Sequence, residues 1–525
     1  LRGDPDDPVT RGFLCARTRA FDVRQNAADR LTRPLLRKDG RLVPVSWDEA
    51  LDAAAAGLRA VRDEHGPAGV LHYRSGGSLG MLKSLSDRLF EAFGPVTIKR
   101  GDICSGAGEA AQEADFGVCD SHDLFDLRNS AAILVWGKNP HTSGVHLLPL
   151  LREARKRGAP IAGVDPVRTK LADLCDVFVQ PRPGGDGPLA LGVARWLLDH
   201  DRFDADAASW CAGLDDYIAL VRRHGLEGWA DRAGVRAGEA EALARVYGEQ
   251  APAALLVGWG LARRSRGAAS VRLLDALGAV TGNLGVAGGG VSYAFDRSAS
   301  FDLPRSGASA RTLREACLGV DLLAARDPPV RAAWVTAGNP VAMLPDSDSV
   351  RRALGGLDLL VVVDTHPTDT TDIADVVLPT LTLLEDSDLL GAYGHHYIRE
   401  SRPTLPAPDG PWDAVTPNGG GDTPRAAPRG AEHFVGAPGP RHELEIWQGL
   451  AARLDLGDVL DGDLEHWKRA LTRRLDADGA GLDAVRAGPV RNPARPPVLF
   501  EGRRFPTASG KVELLTDWPE DPRAG

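Results

Sequence analysis

The sequence predicts an α/β fold with parallel sheets, and three observations lead there. Short apolar, β-rich runs alternate with amphipathic segments: AAILVW, HLLPLLREARKRG and PIAGVD, then AALLVGW, RAAWVTAG and LDLLVVVD. Two of these units repeat one another. The chain also has 525 residues of which 43 % are hydrophobic, enough for roughly three or four domains with sizeable cores and incompatible with disorder throughout.

Composition excludes several classes of function. The formal net charge is −10, so there is no broad basic footprint for nucleic acid or anionic lipid. No apolar run reaches the length of a membrane-spanning helix. Six cysteines without a C-x-x-C pair give neither a disulfide framework nor a zinc or dithiol motif, and most read as inert buried thiols. Because the sequence opens at Leu1, any targeting segment would lie upstream, and the compartment is not readable. Sixty glycines and 37 prolines favour many tight turns, which suit a large ligand.

Taken in order, the first element is a helix. Ser46-Trp47-Asp48-Glu49 has capping-box spacing ahead of an Ala-rich segment running to about Glu64. Next comes the repeat. Ile133-Leu134-Val135-Trp136 ends in Gly137-Lys138-Asn139-Pro140, and Ala333-Trp334-Val335-Thr336 leads to Gly338-Asn339-Pro340. A second strand closes on Asp165, 25 residues after Pro140, and its counterpart closes on Asp364, 24 residues after Pro340. Similar tails follow, ADLCDVFVQP and TDIADVVLPT. The pattern predicts two mononucleotide-binding, Rossmann-like halves. In such a unit a glycine lets backbone approach a phosphate, and an acid ending the next strand accepts ribose or base donors. Taken singly, a strand–Gly–helix turn more often carries no ligand. The Pro- and Gly-rich stretch 402–442 reads as a long surface loop. Two amphipathic helices follow it, with Trp447 and Trp467 expected in the core.

Nine stretches in order resemble the catalytic subunits of the molybdopterin-dependent oxidoreductases. These form the dimethyl sulfoxide reductase family, which includes formate dehydrogenases and nitrate reductases. They are DPVTRGFLCAR, DRLTRPLLR, SWDEAL, WGKNPHTS, VDPVRT, TGNLGVAGGG, AGNP, ADVVLP and FPTASGKVEL, spread over nearly the whole chain. The resemblance implies a bis-molybdopterin guanine dinucleotide carrying molybdenum or tungsten, with one dinucleotide in each of two related domains. It implies remnants of an amino-terminal iron–sulfur domain at 1–45, together with parts of 403–525. One nucleotide-binding domain would comprise 46–100 with 325–402, and the second 101–324. Residues 403–442 would be the loop, and 443–525 a helical segment leading toward a further β-rich domain, so the chain reads as a part of a longer protein.

The site residues follow from the same resemblance. Cys15 maps onto the last of four ligands of a [4Fe–4S] cluster, and Arg17 onto the basic residue between cluster and pterin. Cys104, in a glycine-rich turn, maps onto the molybdenum ligand, with Ser105 beside it as the alternative and a buried, unreactive thiol as the structural reading. Phosphates would meet Gly137, Asn139 and Ser143 in one half and Gly338 and Asn339 in the other. Asp165 and Asp364 would face the guanosines, Arg168, Thr169, Thr365 and Asp369 would add contacts, and Asp186 would touch one dinucleotide. Each of these residues also reads as a helix cap or turn residue. His395 and His396, with Asp102 and His141, are candidates for proton transfer. The segment Glu385 to His396 departs from the better-known relatives, so the substrate does not carry over.

The implied activity is two-electron redox of a small substrate, of the kind used in anaerobic respiration. Electrons would pass through the cluster to a ferredoxin-like subunit or a membrane anchor, on the cytoplasmic or periplasmic side of a prokaryotic membrane. Two other readings stand beside it: a scaffold or electron-conduit subunit of the same fold without the metal, and a nicotinamide dehydrogenase. The last is disfavoured because neither unit contains G-x-G-x-x-G.

Overall fold

In the computed structural model, residues 1–303, 309–408 and 439–518 are described, so most of the expected 403–442 loop lies outside the described residues. In chain order the first strands are β1 (Leu35–Lys38), β2 (Arg41–Pro44), β3 (Val70–Arg74), β4 (Thr97–Arg100), β5 (Ala132–Trp136), β6 (Ile161–Val164) and β7 (Val177–Val179). They continue as β8 (Cys211–Ala212), β9 (Ala253–Val257), β10 (Val291–Ser292), β11 (Arg311–Arg314), β12 (Ala332–Thr336), β13 (Leu359–Asp364) and β14 (Val376–Pro379).

Two sheets organise the chain. The larger runs β11-β4-β3-β12-β13-β14-β1-β2 and is parallel from β11 to β14. The smaller runs β10-β9-β5-β6-β7 and is parallel throughout. Every residue of β5, β9 and β12 is buried, which is why these strands read as unbroken apolar runs: parallel sheets covered on both faces have no solvent side to alternate toward. The larger sheet takes residues 311–314, which the sequence-based boundary at 324 places with the smaller. It also takes the 35–44 hairpin at its edge, turned by Asp39 and Gly40, both at positive φ.

Helices cover both faces. Trp47–His65 is capped by Ser46, whose Oγ accepts from Glu49 N at 3.1 Å. The expected capping box closes on this side only, because the Glu49 carboxylate pairs with Lys38 at 2.5 Å. Asp186–Asp199 and Gly267–Val280, both almost wholly buried, belong to the core of the smaller sheet. The last helices, Glu443–Arg453 and Leu464–Thr472, bury Trp447 and Trp467 in the core of the larger one, as the apolar spacing requires. All six cysteines are free, and burial pushes Cys175 and Cys211 up to about 12, which makes them inert thiols. Among the described residues no helix is long and apolar enough to cross a membrane.

Candidate functional site

The two sheets end alike at their carboxyl edges. β5 passes through Gly137-Lys138-Asn139 into a one-turn helix, Pro140–Ser143, and β12 passes through Ala337-Gly338-Asn339 into Pro340–Met343. Asn is the N-cap and Pro the first helical residue in both, a position where the missing amide costs nothing. The residue just after each strand is left-handed, Gly137 at φ +62 and Ala337 at φ +57. Gly338 is therefore the counterpart of Lys138, not of Gly137. The first turn is also close-packed: a Cβ on Gly258, just after β9, would stand 1.8 Å from the Gly137 carbonyl oxygen. Gly137→Ala should cost about 1–2 kcal/mol from the left-handed backbone alone. Chemical denaturation checks this, and an unchanged midpoint would contradict it.

Each turn opens on a cavity. The first, about 580 Å³, is lined by Gly137, Lys138, Ser143, Trp259, Arg263 and His395, among others. Lys138 has no ion-pair partner among the described residues, and burial pushes its ammonium down to about 8. Asn139 Oδ1 and, beyond β6, Thr169 Oγ1 are buried without hydrogen-bond partners. The second cavity, about 370 Å³, is lined by Gly338, Asn339, Asp364, Thr365, Lys83 and Glu443, among others. Here Asn339 Oδ1 accepts from Thr370 Oγ1 at 2.6 Å. Glu443 accepts from Lys83 Nζ at 2.8 Å and from Thr336 Oγ1 at 2.6 Å, tying the Glu443 helix to the end of β12. Asp364 accepts from Thr365 N at 2.7 Å, and burial raises its carboxyl above the ordinary range.

Cys104 lies on an exposed turn just before the helix Gly106–Phe116. Asp102 Oδ1 shapes the turn by accepting from the amides of Cys104, Ser105 and Gly106, at 2.5, 2.7 and 3.2 Å. Arg263, from the wall of the first cavity, donates through Nε to the Cys104 carbonyl at 2.8 Å and through Nη2 to its sulfur at 3.2 Å. Burial raises the thiol above its ordinary value while Arg263 pulls it back. Tyr393 stands between the two cavities. Its ring meets Trp259 edge-on at 5.1 Å, and Arg297 lies over it at 5.0 Å. Its hydroxyl is 3.7 Å from where a Cβ of Gly76 would be, next to Gly77 of the second cavity.

The remaining expected residues divide. His395 faces the first cavity; its Nδ1 accepts from Tyr397 N at 3.1 Å, and burial pushes it down to about 4, so at neutral pH it is an uncharged Nε2–H donor. His396 does not share that wall, because its Nε2 is 3.0 Å from Asp120 Oδ1 in a buried pair. Asp165 is half-buried and accepts from Val167 N at 2.9 Å, with Arg168 exposed over Phe178. Asp186 is buried and accepts from Trp136 Nε1 at 3.0 Å, so one of its oxygens is committed to the core. Asp369 is exposed and pairs with Arg351 at 3.3 Å, next to Thr368 of the second cavity wall. Ser143 donates to the Asn139 carbonyl at 3.2 Å. Arg17 reaches the Thr142 carbonyl at 3.4 Å, beside the first turn. Cys15 caps the helix Ala16–Arg19, where hydrogen bonds from Thr18 hold its thiol below the ordinary value. No group of three or more His, Cys, Asp or Glu placed to hold a metal ion occurs among the described residues.

Sequence reasoning missed Lys138, Arg263, Trp259 and Tyr393 as wall residues. Lys138 had a signal, since it sits inside the Gly-x-Asn-Pro turn itself. Arg263 and Trp259 follow the apolar run of β9, and a strand end of that kind is a place to look for ligand contacts in a parallel sheet.

Comparison with known proteins gives a family and a fold. A family model described as molybdopterin oxidoreductase matches residues 30–414. The chain is 30 % identical to the probable oxidoreductase YyaE of Bacillus subtilis over 99 % of its own length and 74 % of that protein's. It is 29 % identical to the assimilatory nitrate reductase of Haloferax mediterranei, over 98 % and 74 % of the two chains. Acetylene hydratase from Pelobacter acetylenicus has the same fold, with a TM-score of 0.77 at 21 % identity over 97 % of this chain and 72 % of that one.

Proposed function

Since the chain belongs to the molybdopterin oxidoreductase family, we propose that it holds a bis-molybdopterin guanine dinucleotide with molybdenum or tungsten and carries out two-electron redox of a small substrate. The observation that carries this reading is Cys104, an exposed thiol on a shaped turn, gripped by an arginine from the wall of the first cavity. The residues present suit such a group. Buried Asn139 Oδ1 and Thr169 Oγ1 lack partners, and a thiolate is the soft donor that such a metal takes. When bound, the cofactor supplies the electron chemistry at its metal.

The chain's own residues bind and orient. Gly137, Lys138, Asn139 and Ser143 would receive one pyrophosphate, Lys138 supplying the charge; Gly338 and Asn339 would receive the other. Asp165 and Asp364 would accept from guanosine donors, with Arg168, Thr169 and Thr365 beside them. His395 Nε2–H would donate a hydrogen bond into the first cavity. Trp259 and Tyr393 would exclude water between the halves. The two halves are read as related Rossmann-like domains, the larger taking 35–100 with 311–402 and the smaller most of 101–303. A [4Fe–4S] cluster, with Cys15 as one ligand and Arg17 beside it, would supply one-electron transfer to a ferredoxin-like or membrane-anchor subunit.

The test is expression with molybdate and with tungstate, followed by metal analysis and release of the pterin as its fluorescent oxidised form. The expected result is about one metal and about two pterins per chain. Neither metal nor pterin, while a family control loads normally, would overturn the reading.

A further inference from the structure

The part of the first cavity wall that carries Tyr393 and His395 is a loop between two antiparallel strands, Asp388–Leu390 and Tyr397–Ser401. Residues 392–395 make no backbone-to-backbone hydrogen bond among the described residues, so side chains hold the loop in place. Tyr393 contributes ring contacts only, to Trp259 and Arg297. The polar anchor is the next residue along, His396, whose Nε2 is 3.0 Å from Asp120 Oδ1 with both side chains almost wholly buried. Its Nδ1 is buried and has no hydrogen-bond partner among the described residues, which places the ring proton on Nε2 and makes that atom the donor.

Asp120 binds more than this loop. Its Oδ1 also accepts from Ser121 N at 2.9 Å and from Asp296 N at 3.3 Å, and Arg495 Nη1 lies 3.0 Å from its Oδ2. Arg495 Nη2 in turn donates to Asp296 Oδ2 at 3.1 Å. Each chain segment joined to Asp120 puts the adjacent residue into the first cavity wall: Ser121 beside Asp120 itself, Phe295 beside Asp296, and His395 beside His396. The Phe295 ring also meets the His396 ring at 4.8 Å. A carboxylate suits this junction, because it offers about four acceptor sites and can take several N–H donors while facing a guanidinium. We propose that Asp120 is a positioning residue, which through His396 holds the 391–395 loop against the first cavity so that His395 faces inward and Tyr393 closes on Trp259. Asp120 itself lines neither cavity. Its role toward the reaction rests on the function proposed above; the anchor does not.

The experiment applies amide exchange and hydroxyl-radical footprinting, both read by mass spectrometry, to the whole chain. The amides to follow are those of Tyr397, which donates to His395 Nδ1, and Asn492, which donates to the His396 carbonyl. In His396→Ala their exchange should rise about tenfold or more, the size of one hydrogen bond to a charged group, while the Trp47–His65 helix keeps the parent's rate. Oxidation of Trp259 and Tyr393 should rise with it, because their contact opens. His396→Gln, whose amide N–H stands in for Nε2–H, should return both readings to the parent's values. Asp120→Ala should match His396→Ala; if it does not fold, the two His396 variants decide. Unchanged exchange in His396→Ala, or a Gln variant no better than the Ala variant, overturns the anchor. In the loaded enzyme, His396→Ala should add less than about twofold to the turnover loss of His395→Gln, since the first acts through the second; losses that multiply overturn the role toward His395. Exchange and footprinting need no bound metal, so failure of the anchor and failure of the proposed function are separable.

Discussion

Cys104→Ala is expected to lower turnover by about a thousandfold or more, roughly 4 kcal/mol in the barrier, while shifting unfolding by less than about 1 kcal/mol. The two effects separate because of where the residue sits. Cys104 is exposed, its backbone amide is held by Asp102, and its carbonyl by Arg263, and all of that survives removal of the sulfur. What disappears is the soft donor that Arg263 holds beside the first cavity. Dye-linked turnover, metal content and thermal unfolding on the same preparation test the prediction. Turnover within tenfold of the parent at full metal loading would remove Cys104 from the mechanism.

Glu385→Ala is expected to destabilise the fold by roughly 3–5 kcal/mol, the range for stripping one partner from a buried ion pair. Arg30 and Glu385 have side chains 0 % and 2 % exposed and are joined through both terminal guanidinium nitrogens, Nη1 and Nη2. Glu385 also accepts from Gln25 Nε2 at 2.8 Å and from Thr382 N at 3.1 Å. Alanine leaves the Arg30 charge dry and unpaired. Because Gln25 and Thr382 line the second cavity, its wall should loosen with the pair. Guanidinium unfolding measures the loss, and Arg30→Met with Glu385→Leu should recover most of it by replacing charge with apolar volume. A loss below about 1 kcal/mol for the single variant would show that the pair is solvated.

Much of this architecture was legible in residue order because parallel strands covered on both faces are unbroken apolar runs, and AILVW, AALLV and AAWVT could hardly be anything else. The two turns were legible through Gly137-Lys138-Asn139-Pro140 and Gly338-Asn339-Pro340 and their spacing to Asp165 and Asp364. Pairings made at a distance were not. Nothing near Asp186 in sequence announces Trp136, and nothing near His396 announces Asp120, so two polar residues that looked available are engaged in the core. Ala337 hid in the opposite way: a left-handed position is expected to be glycine, so the neighbouring Gly338 drew the alignment one place off. Arg263 and Tyr393 belong to the site only because chain segments far apart in sequence meet there.

The hairpin at the rim of the larger sheet has a consequence for how the protein behaves in concentrated solution. β2 is the outermost strand; it begins with exposed Arg41, ends on Pro44, and its partner β1 ends on exposed Lys38. Like charges and a missing amide make a poor template for a strand from another molecule. The most extended sheet in the chain is thus guarded on that side against the edge-to-edge stacking that seeds aggregates.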